Sequence, residues 1–428
     1  MKLNTADMEK VFEIIRRYEP KLDLGVKISA DEYAERYRRV WRELEARKID
    51  LGFFFWYREM PGDGLYLTGY NPNIERASGV IAPGKPPMLL CGPESGLLSS
   101  EAGLGLQANF VNEFSIPDEY YEGIERVNLT EVVRDYVGRE IRTIGCMTSY
   151  DLVPDKFMKV LENDIAAGAR VVDATDILAE LRYNKSETEF LCMKQSSTIA
   201  CASVRAMLAV AKPGMRETEL AAVGDFVIKA LGGVGYGVES MIMSAGRNRY
   251  VIGPATNRVI REGELVQVGV SPSYEGYKGV CRRAFVMGER SPLQREYFEI
   301  MNEGYDVAVR ELRSVVENDL PINRIDLAPR NFFHTKTLEG VDVKTLHMYS
   351  TCHGTGLTEC LEKLVVHPAV PDHYSENVGI MLDLGVYGHP NDAVCGGCVE
   401  SAFFKRGKEL ICFTDVPADV QNLVGNID

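Results

Sequence analysis

The polar break at Tyr183-Asn184-Lys185-Ser186-Glu187 constrains this chain most, because the hydrophobic patterning changes character across it. Before it, helix-like and strand-like stretches alternate. Residues 31–46 put Tyr33, Tyr37, Val40, Trp41 and Leu44 on one helical stripe, and LGFFFW (51–56) is a continuous apolar run suited to a buried strand. A turn-rich stretch with Pro61-Gly62 and Asn71-Pro72 leads to strand-like runs at 79–82 and 87–91. This alternation predicts an α/β N-terminal domain. After the break, helices are expected over 187–211 and 216–231, separated by Lys212-Pro213-Gly214, with Leu220, Val223, Val227 and Leu231 sharing a face of the second. Strands at 264–271 and 277–287, a helix at 294–314 and a strand- and glycine-rich stretch at 345–415 complete the chain. At 428 residues it exceeds one ordinary core, so two domains are expected, 1–170 and 171–428.

Charge excludes some functions. The net charge is -14 and the pI near 5.1, a surface that repels phosphate backbones, so nucleic-acid partners are not expected. No apolar run approaches the roughly 20 residues that span a bilayer. The N-terminus lacks the apolar core of a secretory signal and reads instead as an amphipathic helix over 7–18, with Met8, Val11, Phe12 and Ile15 on one face. The ten cysteines follow no framework spacing, so reduced thiols and a cytoplasmic location are expected.

Several segments, in order, resemble the creatinase/prolidase/aminopeptidase P ("pita-bread") family. YNKSETEFLCMKQSSTIA is similar to the helix that opens its catalytic domain, and AKPGMRETELAAVGDFVIKALG to its Pro-Gly turn and following helix. GELVQVGVSPSYEGYKGVCRRAF resembles its aspartate-bearing hairpin, CHGTGL its histidine loop, GIMLDLGVY and GGCVESAFF its two glutamate-bearing strands. The resemblance covers 175–415 well and 26–170 loosely. It implies an N-terminal creatinase-like α/β domain followed by a pita-bread catalytic domain.

In that family two aspartates, a histidine and two glutamates hold two divalent metals that polarise a carbonyl and acidify a bridging water. Carried over residue by residue, the aspartate positions fall on Gly269 and Val280, which cannot ligate. The histidine remains as His353, the first glutamate is shortened to Asp383, and the second falls on Glu400 or Ser401, only one of which can face inward. A further histidine is absent near Ile252-Gly253. A two-metal centre is therefore not expected. A single divalent ion on His353, Asp383 and Glu400 stays open, as does a reading in which the three make ordinary buried hydrogen bonds.

The resemblance to creatinase, which uses no metal, implies that Arg76 grips a substrate carboxylate from the partner subunit of a homodimer. The alternative is a solvent-facing loop arginine. Strand periodicity puts Lys278 and Arg282 on the face of Val280, where they bind an anionic substrate or else pair with Asp383 and Glu400 as a plug. Cys360 aligns with a substrate-contacting histidine; Cys395 and Cys398 form a C-x-x-C that binds zinc, cycles redox or is simply buried. The cysteines at 281 and 352 also fall in cleft segments, with Cys281 pointing away from the site.

The leading expectation is a hydrolase of a C–N bond in a small, carboxylate-bearing, nitrogenous substrate, without metal, with His353 as acid or base, Asp383 or Glu400 orienting it, and Arg76, Lys278, Arg282 and Cys360 binding substrate. The alternatives are an Xaa-Pro aminopeptidase or prolidase type metallopeptidase, and a non-catalytic ligand-binding descendant.

Overall fold

The computed structural model describes residues 2–116, 121–235, 237–360 and 362–427. The chain forms two compact units, Lys27–Arg182, and Met1–Val26 joined with Tyr183–Asp428. The division thus falls at 182/183 rather than 170/171, and the first 26 residues go with the C-terminal unit. Their helix α1 (Thr5–Tyr18), closed by a reciprocal Asn4–Asp7 cap, explains this. It buries Asp7, Val11, Ile14 and Tyr18 rather than the expected Met8, Phe12 and Ile15, and Phe12 is 39% exposed. Asp7 is tolerated inside because Lys212 Nζ and the Asn4 backbone N–H donate to it.

In the N-terminal unit, α2 (Ala30–Ala46) buries Tyr33, Tyr37, Val40 and Leu44. Trp41 stays half-buried, donating Nε1–H to Lys85 O at 2.9 Å. Strands β1 (Leu51–Trp56), β2 (Ala77–Ile81), β3 (Met88–Cys91), β4 (Ala108–Phe110), β5 (Thr143–Cys146) and β6 (Arg170–Asp173) form a mixed sheet in the order β4-β3-β2-β1-β5-β6. Alternation along β1 sends Phe53 and Phe55 to a core with Val133, Val137 and Phe157, while Phe54 stacks on Trp56 on the other face.

In the C-terminal unit, α3 (Glu187–Val210) starts at a Ser186/Glu189 capping box, which is why the polar break ends there. α4 (Glu217–Ala230) follows. The main sheet takes β7 (Met241–Ser244), β8 (Leu265–Val270), β11 (Cys281–Val286), β14 (Cys352–Gly354), β15 (Asn377–Tyr387) and β16 (Gly396–Arg406) in the order β14-β15-β16-β11-β8-β7, with β17 (Glu409–Cys412) also on β16. All of its pairings are antiparallel. Two small hairpins, β9 (Ser273–Tyr274) with β10 (Tyr277–Lys278) and β12 (Thr337–Leu338) with β13 (Val341–Asp342), lie off this sheet.

The long α5 (Pro292–Asn318) begins at a Ser291/Gln294 capping box with proline at its first position. It buries Tyr297, Phe298, Met301 and Leu312 in one cluster with Leu382, Leu384, Val386 and Val399 of β15 and β16. Residues alternating with these leucines, Asp383 among them, are turned to the opposite face, where Val280, Met381 and Ala402 form a small apolar patch.

Candidate active site

Strand register assembles the site. Gly269 of β8 lies opposite Arg282 of β11, Arg282 opposite Glu400 of β16, and Glu400 opposite Asp383 of β15. One row therefore crosses four strands, and His353 of β14 stands next to it, paired with Met381. The register also settles which residue of β16 faces the site: Glu400 does, while Ser401 accepts from Arg283 Nη2 at 3.0 Å. Arg283 is itself buried, bonded to the carbonyls of Pro417, Val416, Glu400 and Arg282.

Arg282 occupies the centre of the row. Its Nη1 lies 3.4 Å from Glu400 Oε2 and 3.7 Å from Asp383 Oδ2. Its Nη2 donates to Tyr387 Oη at 2.8 Å and to Val251 O at 2.9 Å. Tyr387 Oη donates to Gln267 Oε1, and Tyr349 Oη to Asp383 Oδ1 at 3.0 Å. The arginine stem runs directly over Gly269, where a β-carbon would meet its Cγ at 2.2 Å. Val251, whose carbonyl it takes, has φ 47°, a rare conformation for a β-branched residue, beside the place where the sequence lacks a histidine.

The electrostatics follow from burial and proximity. Burial alone would lower the His353 imidazole, but Glu400 Oε1 3.6 Å from its Nε2 outweighs this and lifts it to about 9. Glu400 is correspondingly held below its ordinary value: burial acts against this, and His353 and Arg282 prevail. Asp383 is pushed up to about 6 by burial and by the Glu400 charge, against the pull of Arg282. The site thus holds an imidazolium, an ionised glutamate and an aspartate poised to change protonation near neutrality.

The remaining predicted residues are distributed differently. Lys278 is buried, 6% exposed, but it pairs with neither Asp383 nor Glu400; Arg282 alone engages both. Cys360 is exposed as a residue, yet partial desolvation of its thiol by the surrounding protein, and then the charges of Glu359, Glu400 and Asp383, raise its pKa, the opposite of an activated nucleophile. Arg76 lies in the N-terminal unit, exposed, its guanidinium 6.0 Å from the Phe157 ring, on the rim of a cavity of about 610 Å³. Cys395 and Cys398 are buried free thiols, Cys395 donating to Ala245 O at 3.2 Å. Cys281 points to the other face, beside Cys201.

Sequence reasoning missed Glu359, which is 8% exposed and lifted to about 7 by burial and by Glu400. Its only signal was a carboxylate next to Cys360 in a loop already singled out. It also missed Tyr349 and Tyr387, whose hydroxyls fix Asp383 and Arg282.

His353, Asp383 and Glu400 can each offer one ligand atom, all within 4.8 Å of one another. The set does not fit the two-metal centre of related folds. Gly269 supplies no donor, Val280 packs against Met381 and Ala402, and the carboxylates that would hold an ion already face a guanidinium. A divalent cation on those oxygens would sit against that fixed positive charge in a buried site.

Residues 191–394 match metallopeptidase family M24. The Xaa-Pro dipeptidase of Pyrococcus horikoshii is 25% identical over 265 residues, 59% of this chain and 70% of that protein. The Xaa-Pro aminopeptidase of Escherichia coli is 28% identical over 162 residues, 37% of this chain and 36% of that protein. Among solved structures, the prolidase from Pyrococcus horikoshii superposes with a TM-score of 0.72 at 18% identity, covering 90% of this chain and 99% of that one. The X-Pro aminopeptidase from Thermotoga maritima gives 0.73 at 17%, with the same coverage. These likenesses establish the fold: an N-terminal α/β domain and a pita-bread domain.

Proposed function

We propose that this chain, a divergent member of the creatinase/prolidase/aminopeptidase P family, is a hydrolase that cleaves a C–N bond in a small, carboxylate-bearing, nitrogenous substrate with side chains in place of a metal pair. The observation that carries this is Arg282, laid over Gly269 and set between Asp383 and Glu400. The cation that those carboxylates need is built into the chain.

The roles follow from the protonation states. A carboxylate near neutrality, Asp383 or Glu359, takes a proton from water as its oxygen adds to the carbon of the C–N bond. The His353 imidazolium gives a proton to the leaving nitrogen, and Glu400 holds that ring in place. Transfer of the carboxyl proton back to the imidazole resets the pair. Arg282 fixes the two carboxylates that flank it. The same reading takes Arg76 as a carboxylate clamp reaching the cleft of a second copy, in a cytoplasmic homodimer.

The second reading, an Xaa-Pro peptidase, is favoured by the relatives, which are named peptidases, and by the three ligand atoms of His353, Asp383 and Glu400. Elemental analysis and chelation separate the two. Our reading expects fewer than two metal equivalents per chain after dialysis, and C–N hydrolysis that survives chelator. Two retained equivalents, or activity lost to chelator and restored by a divalent ion, overturns it in favour of the peptidase.

A further inference from the structure

We propose that His347 is a positioning residue for this site: as a buried imidazolium bonded to Gly385 O and, through the Thr351 hydroxyl, to Asp326, it latches the loop that sets Tyr349 against Asp383. The use of Asp383 in the reaction rests on the hydrolase reading; the latch itself does not.

The loop 346–351 grips Asp383 twice. Its Tyr349 Oη donates to Asp383 Oδ1 at 3.0 Å, and its Thr351 O accepts the Asp383 N–H at 2.9 Å. Gly385, on β15 beyond Asp383, permits the close approach: a β-carbon there would lie 2.3 Å from Tyr349 Oη. The loop is neither helix nor strand, so its position has to be fixed by side chains.

Those side chains come from α6 (Arg324–Phe333) and from the loop itself. Arg330 donates Nη1–H to His347 O at 3.2 Å and Nη2–H to Tyr349 O at 2.9 Å. Asp326 Oδ1 accepts the Thr351 N–H at 2.8 Å. The His347 ring places Nδ1 2.9 Å from Gly385 O and Nε2 3.0 Å from Thr351 Oγ1. Thr351 Oγ1 is in turn 2.8 Å from Asp326 Oδ1. Asp326, His347 and Thr351 are all buried, so the solvent does not complete these bonds.

Counting protons fixes the charge of the ring. Three contacts at hydrogen-bond length need three protons: Gly385 O to Nδ1, Nε2 to Thr351 Oγ1, and Oγ1 to Asp326 Oδ1. The Gly385 carbonyl brings none. Asp326 brings none, since its Oδ1 also takes the Thr351 N–H and its Oδ2 takes the Arg330 Nε–H at 2.5 Å. Thr351 brings one, so the imidazole must bring two. Either neutral tautomer sets two acceptors face to face in the interior, where an unsatisfied polar group is most costly. The charged and titratable groups facing the ring are Asp326 and Arg330 of α6 and Tyr349 of its own loop, while β15 presents the Gly385 carbonyl. Burial lowers the imidazole pKa below its ordinary value; Gly385 O and Asp326 pull against this, and Arg330 adds to it. The second proton is thus tied to the position of the loop. Losing it breaks one of the three contacts and loosens the grip on Asp383.

The test reads protons and exchange rather than turnover, so the latch and the hydrolase reading fail separately. The full-length protein is isotope-labelled at its histidine ring nitrogens, and the His347 signals are assigned by their loss in H347N and H347Q. At pH 6 both His347 ring nitrogens should carry protons. T351V keeps the backbone and the side-chain shape and removes the relay oxygen; its His347 should carry one ring proton at pH 6. A ring that merely fills space would keep the same protonation in both proteins. Hydrogen exchange of the 346–351 and 379–387 segments, followed by mass spectrometry, should be about tenfold faster in T351V, from the loss of one buried hydrogen bond. Exchange in α1 should be unchanged, which shows that the variant folds. A single ring proton on His347 in the wild type at pH 6, or a T351V protein whose His347 keeps both, overturns the proposal. Loop exchange that is the same in both proteins also overturns it, because the proton would then hold nothing in place.

Discussion

Arg282→Met tests the central electrostatic argument. The substitution keeps the stem over Gly269 and removes the guanidinium, leaving Asp383 and Glu400 opposite each other without a cation. Their side chains are 10% and 1% exposed, and that of Arg282 is 4%, so water cannot replace the lost charge. Removing one partner of a buried ion pair typically costs about 3–5 kcal/mol. At about 2–4 °C per kcal/mol for a domain of this class, the C-terminal unit should melt roughly 6–20 °C lower at pH 8. The pH dependence has a definite sign. Asp383 already has a folded pKa of about 6, above the unfolded value of about 3.9, so its ionisation opposes folding. Without Arg282 it rises further. Glu400 also loses one of the charges that hold it down. Protonation of Asp383 then relieves the variant, while the wild type keeps the stabilisation of its depressed Glu400 across this range, since that is lost only below the unfolded value of about 4.3. The deficit should therefore be largest at pH 8 and shrink toward pH 5.5. Adding Asp383→Asn to the variant should recover part of it. Scanning calorimetry at both pH values reads all of this. A variant melting within about 1 °C of the wild type at pH 8 would mean that the guanidinium neutralises nothing, and the argument fails.

Two further outcomes are expected. The rate of C–N hydrolysis should rise as Asp383 or Glu359 deprotonates, near 6 to 7, and fall as His353 loses its proton near 9; a flat profile across that range refutes the acid–base assignment. Light scattering at micromolar concentration should show a dimer, and a monomer contradicts the proposed use of Arg76.

Much of the fold was legible because local patterns are short-range. LGFFFW reads as a strand by its continuous apolar run, and the strand is Leu51–Trp56. The capping residues Ser186 and Ser291 mark the starts of α3 and α5. Period-two alternation correctly put Val280 and Arg282 on one face and Cys281 on the other. What failed depended on register or on single long-range bonds. The choice between Glu400 and Ser401 needs the pairing of Asp383 with Glu400. The buried face of α1 turns on Asp7, whose burial rests on Lys212, some two hundred positions away. The division of carboxylates between Lys278 and Arg282 depends on which residue lies opposite Glu400, and no periodicity supplies that. Glu359 sits in a loop, where periodicity carries no information at all.

Gly269 and Arg282 are best understood as one substitution spread over two strands. The family resemblance puts an aspartate at position 269, and here any side chain would drive a β-carbon to 2.2 Å from Arg282 Cγ. The glycine is needed because the arginine crosses it. An aspartate restored at 269 alone would displace the guanidinium while adding a third buried acid to Asp383 and Glu400, with His353 the remaining cation beside them. An alanine at 282 alone would strand two carboxylates and still leave Gly269 and Val280 unable to hold a metal. Each single reversal is therefore worse than either complete arrangement, because a buried charge set is stable only when whole. That interdependence also explains why Lys278 stands apart. With the row Gly269–Arg282–Glu400–Asp383 already neutralised within itself, the lysine is surplus to the charge balance of the row.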